Sequence, residues 1–177
     1  MGRRVLINAG WYKAHFAAVL AEDPDAIRVR VMLADVLIEG GDAAAALDLL
    51  DGAVDVDAVL LRRAIAAERL GETAILAAAR TELARRFRSN LDIGLTAHAR
   101  EETRFFLQVE PDPALALSRA QVNWGLQREI EDAQLLIDAA MAADAPTAAA
   151  PVLRWMAEQD VSAPALRIPE AVRAAAR

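Results

Sequence analysis

The chain has 177 residues, a mass of 19.1 kDa, 55% apolar residues, a net charge of −6 and no cysteine. That length and apolar fraction suit one domain burying about two-thirds of its unfolded surface, which argues against disorder. Without cysteine there is no disulfide framework, zinc-thiolate site, iron–sulfur cluster or cysteine nucleophile, and two histidines, His15 and His98, leave little for a histidine-built metal centre.

No apolar run reaches the about 18 to 20 residues that a bilayer span needs. The opening MGRR followed by VLINAGWY has the charge order of a secretion signal. Lys13 and His15 break its apolar stretch and no small-residue cleavage site follows, so a cytoplasmic location is expected. Nineteen arginines stand against the single Lys13, among 42 alanines, a bias that points to a GC-rich bacterial genome.

Apolar residues recur at three- and four-residue intervals without period-two alternation, so the spacing predicts an all-α chain. The first helix is expected over 10–22, ending at Asp23-Pro24-Asp25. The second, over 27–39, carries Leu33 and Leu37 and stops at Gly40-Gly41-Asp42. The third spans 43–55 with Leu47 and Leu50, and the fourth, 58–70, ends at Gly71-Glu72-Thr73. Helices over 73–88 and 95–109 precede the Pro111-Asp112-Pro113 break, which opens a seventh over 113–129. An eighth over 132–143 meets Ala145-Pro146-Thr147, a ninth covers 147–158, and a tenth over 167–176 follows Ser162-Ala163-Pro164.

The interhelix turns Gly41-Asp42, Gly71-Glu72, Pro111-Asp112 and Asp144-Ala145 recur at spacings of 30, 40 and 33 residues, the period of a helix–turn–helix repeat. In the clearest unit, Leu33-Ala34, Leu37, Gly41, Ala46, Leu50 and Ala53, small Ala34 and Ala46 let two helices approach while the leucines fill the remaining space. This pattern resembles the tetratricopeptide repeat. Ile137, Ala140, Asp144, Ala149 and Leu153 repeat it, Ala64, Ala67, Gly71 and Leu76 carry a degraded copy, and Thr96 to Val109 admits two registers one residue apart. Phe16, Val19 and Pro24 sit where the second half of a preceding repeat would lie, as if the array began in mid-repeat. The stretch from Arg100-Glu101-Glu102 through Phe105-Phe106-Leu107 to Asn123-Trp124 and Gln127-Arg128-Glu129 resembles the C-terminal part of uncharacterised bacterial tetratricopeptide proteins.

The resemblance implies a right-handed α-solenoid of antiparallel helical hairpins forming a single domain over 1–177. Within it, 10–26 is a partial repeat or N-terminal helix, 27–57, 58–90, 95–131 and 132–161 are repeats, and 165–177 is a capping helix. It also implies a concave groove lined by the first helix of each hairpin, in which a peptide or helix of another protein binds. By the pattern's spacing the groove residues are Arg28, Asp35, Ile38 and Glu39, then Ile65 and Arg69, then Glu101 and Arg104, then Asp138. The lysine, arginine and asparagine set of the carboxylate clamp for chaperone tails is not found there.

The expected function is therefore a non-enzymatic protein-interaction scaffold that needs no cofactor and no metal. The alternative is a structural, self-associating piece of a larger repeat protein, with homo-oligomers, and behind it a helical-repeat enzyme using His98, Glu101 and Arg104. No phosphate-cradling loop, GxSxG elbow or HExxH pair occurs, and with serine only at 89, 118 and 162 nothing suggests a triad. His98 and Glu102, four apart, are expected as a surface pair. The Asp and Glu residues of 35–57 are expected on a solvated face. Arg80, Arg85, Arg86 and Arg88 are expected to face the negative end of a helix rather than phosphates, and acidic flanks oppose nucleic acid. Trp11, Trp124 and Trp155 are expected in packing roles, and of Phe105-Phe106 one in the core and the other on the concave surface.

Overall fold

A computed structural model describes residues 3–175, with side chains described from Gly10 onward. Met1, Gly2 and the last two residues of the expected 165–177 cap lie outside the described residues. The chain is all-α; among the described residues there is no strand. It forms two compact units, Met1–Arg86 and Phe87–Arg177.

The first unit holds α1 (Arg3–Glu22), α2 (Ile27–Glu39), α3 (Ala43–Leu50), α4 (Asp57–Leu70) and the start of α5 (Thr73–Asp92). Each of α1 to α3 packs on its successor, and α2 also touches α4, which makes α2–α3 a hairpin stacked against the next first helix. The contacts are close because small side chains occupy them: Ala34, Ala46, Ala64 and Ala67 are fully buried, together with Leu50, Val59 and Leu61. Turn chemistry sets the joints. Gly71, at φ 74°, ends α4 in the left-handed conformation that only glycine adopts without cost, and the Asp42 side chain caps α3 by accepting from the Ala45 N–H at 3.3 Å.

The second unit holds α6 (Ala99–Gln108), α7 (Pro113–Leu126), α8 (Ile130–Ala142), a 3₁₀ turn over Pro146–Ala149, α9 (Ala150–Glu158) and α10 (Glu170–Ala175). Here α6, α7 and α8 pack on one another as α2, α3 and α4 do in the first unit. Its core is built on Phe87, Phe105 and Phe106, whose rings meet edge to face at centroid distances of 5.3 and 5.2 Å, and on Ile137, Ala140, Ala149 and Val152. Asp112 caps α7 by accepting from the Leu115 N–H at 3.0 Å, with Pro113 in the first turn.

Several ends differ from the periodicity. The third helix stops at Leu50 instead of 55, because Asp51 is extended (ψ 140°) and Gly52 takes φ 65°. The fifth runs on to Asp92 before Gly94 at φ 67° ends it, and the sixth starts at Ala99 instead of 95. Pro169 holds back the last helix until Glu170.

Candidate functional site

In the first unit the expected partner-facing residues divide between surface and interior. Arg28, in the first turn of α2, and Glu39, at its end, are exposed. Arg69 is exposed on α4, but its guanidinium turns back to donate to the Ile38 carbonyl and so satisfies a terminal C=O of α2. Asp35 lies between α2 and α4, where its carboxylate accepts both Arg62 Nε at 3.0 Å and Arg62 Nη2 at 2.8 Å. Arg62 is itself 4% exposed. A planar guanidinium matches the two carboxylate oxygens, so this bidentate pair ties one first helix to the next. Ile38 and Ile65 are buried at 4% and 6% exposure and belong to the core.

In the second unit Arg104 is buried on α6 and pairs with Glu131 on α8, while Glu101 is half-buried. Asp138 is half-buried on α8 and accepts from Gln134 at 2.7 Å. Burial pushes its pKa up, against the opposing Gln134 hydrogen bond and the more distant Arg167 charge.

Beside these lies a buried polar network absent from the sequence-based expectations. Arg119 Nε meets Glu102 at 2.5 Å, both side chains being buried, and Glu102 also accepts from Asn90 at 3.2 Å. The expectation of a surface His98–Glu102 pair is thereby corrected: the fully buried carboxylate has its counterion on α7, and His98 stands at the start of α6. Asp132 receives Arg100 Nε at 2.8 Å, Arg100 Nη2 at 2.9 Å, Asn123 at 2.7 Å and the Glu129 N–H at 2.9 Å. Burial opposes the Arg100 charge, yet the hydrogen bonds to Asp132 and Glu129 outweigh it and hold the guanidinium above its ordinary pKa. Every group in this network faces another protein group. It ties α6, α7 and α8 together.

Other singled-out residues have structural partners. The arginine cluster lies within α5 and not in a last turn, since that helix continues to Asp92. Arg85 and Arg86 pair with Glu82, Arg86 also with Asp57 at 2.9 Å, and Arg88 with Glu110 at 2.8 Å. The hydrogen bonds from Arg85 and Arg86 hold the Glu82 pKa down to about 2. Of the acids in 35–57, Asp35, Asp42, Asp55 and Asp57 serve as clamp, cap or counterion, which corrects the reading of a purely solvated face. Trp124 and Trp155 pack edge to face at 5.5 Å, whereas Trp11 is 61% exposed and stacks on His15 at 5.0 Å. Phe105 and Phe106 are both buried, so neither reaches a surface.

Residues 13–68, from α1 to α4, match the family model described as the tetratricopeptide repeat. No curated protein and no solved structure matches the chain. Among the described residues no helix is long and apolar enough to cross a membrane.

Proposed function

We propose that the chain is a non-enzymatic adaptor that holds a peptide or helix of another protein along the first helices of its hairpins. In the first unit the contacts fall to Arg28 and Glu39 on α2 and Arg69 on α4, with Asp35 positioning the two helices. In the second unit Glu101 on α6 and Asp138 on α8 take the corresponding places. The observation that carries this reading is the coincidence of the tetratricopeptide match with the stacked α2 and α4, which leave charged side chains of both signs exposed. A mixed charge pattern suits a partner segment that itself carries both charges, and such contacts set specificity more than affinity.

The test is affinity capture from lysate of the source organism, with bound proteins identified by mass spectrometry. A partner retained by the wild type and lost by a folded Arg28→Glu, Glu39→Arg variant supports the reading. Equal retention by both proteins overturns it, as does the absence of any retained protein.

A further inference from the structure

The first unit carries a second surface that the tetratricopeptide reading does not use. Between α3, α4 and the start of α5 runs an open trough of about 610 Å³, floored by Leu47, Leu70 and Ile75. A second hollow of about 340 Å³ continues it past Ile75 toward Leu60 and Ala79. Leu70 and Ile75 are 44% and 41% exposed, unusual for side chains of this size facing one another across a groove.

The rim is acidic. Asp48, Asp51 and Glu72 line it, all exposed, and among the described residues none of the three is ion-paired. The one cation of the lining, Arg63, is already engaged: it donates to the Leu50 and Ala53 carbonyls at 2.6 and 3.3 Å and meets Asp55 at 2.5 Å. The surrounding sequence, residues 21–57, holds ten acidic side chains against two basic ones. An elongated apolar floor under an uncompensated negative rim selects a segment with apolar side chains on one side and lysine or arginine flanking them. It repels anionic partners such as nucleic acid or an acidic membrane surface. A second copy of this chain, with net charge −6, would set carboxylates against carboxylates.

We propose that this trough is a docking site for a basic amphipathic helical segment of another protein, separate from the face formed by α2 and α4.

The probe is a fluorescein-labelled helical peptide of leucine, alanine and lysine, with a counterpart carrying glutamate for every lysine, read by fluorescence anisotropy. The lysine peptide is expected to bind the wild-type protein and the glutamate peptide not to. Asp48→Lys, Asp51→Lys, Glu72→Lys combined should weaken the lysine peptide by at least about tenfold and admit the glutamate peptide. Leu70→Asp should weaken the lysine peptide as much, and Ile75→Asp replaces it if circular dichroism shows lost helix. Asp23→Lys, Asp25→Lys, in the exposed turn before α2, should leave binding unchanged. The proposal is overturned if the lysine peptide does not bind, if the turn variant weakens it as much as the trough variant, or if both peptides bind alike. It is also overturned if sedimentation velocity shows a wild-type dimer that Leu70→Asp dissociates, since a second copy would then be the occupant.

Discussion

At the scale of single residues the structure turns on charges taken out of water in matched pairs. Glu102 and Arg119 illustrate the balance: each alone would carry a desolvation penalty of several kcal/mol, and their contact together with Asn90 and the Leu95 carbonyl offsets it. Arg119→Met strands the Glu102 carboxylate and should destabilise the second unit by about 3–5 kcal/mol in urea unfolding, whereas adding Glu102→Leu should recover most of the loss. Asp138 gives a pH signature of definite sign. Its folded pKa lies above the ordinary 3.8 because of burial, so its contribution to stability is fully present below that value and is lost as pH rises through the folded pKa. Asp138→Asn is therefore expected to melt above the wild type at pH 7 and together with it near pH 3. The difference is small, because the side chain remains 43% exposed and water screens it.

At the scale of elements, two glycines with open space where a Cβ would stand separate backbone conformation from packing. Gly71 ends α4 at φ 74°, and alanine there should cost about 1–2 kcal/mol. Gly125 lies inside α7, and alanine there should add about 0.5–1 kcal/mol. Opposite shifts in chemical denaturation midpoint for the two variants would check both. The existence and order of the helices were legible in the sequence because Gly41, Gly71 and Pro111 act locally and the apolar period acts within one turn. Their ends were less so: Asp51-Gly52 interrupts an apolar pattern that runs on past it, and at 89–92 no breaker stops α5 until Gly94. The candidate site was read less well than the fold. The spacing that marks first-helix positions selected Ile38, Ile65 and Arg104, and all three side chains are buried, a property the spacing alone does not carry. Nor could the sequence show that Arg62 rather than Arg63 reaches Asp35, since the pairing spans 27 residues and depends on how α2 meets α4.

At the scale of the whole molecule, charge carries the clearest expectation. With a net charge of −6, and with Arg85, Arg86 and Arg88 each held by a carboxylate, the protein should pass through a heparin column at low salt. Salt-sensitive retention would show that these arginines exchange their partners for phosphates. The two units also share a device. In each, an ion pair 27 residues apart joins a first helix to the next: Asp35 to Arg62 in one, Arg104 to Glu131 in the other. The polarity is reversed, with the acid leading in the first and the base leading in the second. In a chain of look-alike hairpins, a helix that has just formed meets more than one surface of suitable shape. Were α2 to settle on α8, carboxylate would confront carboxylate; were α6 to settle on α4, guanidinium would confront guanidinium. The reversed signs thus work as a key during assembly, discouraging exchange between repeats and making a deletion or duplication that joins the wrong pair self-defeating.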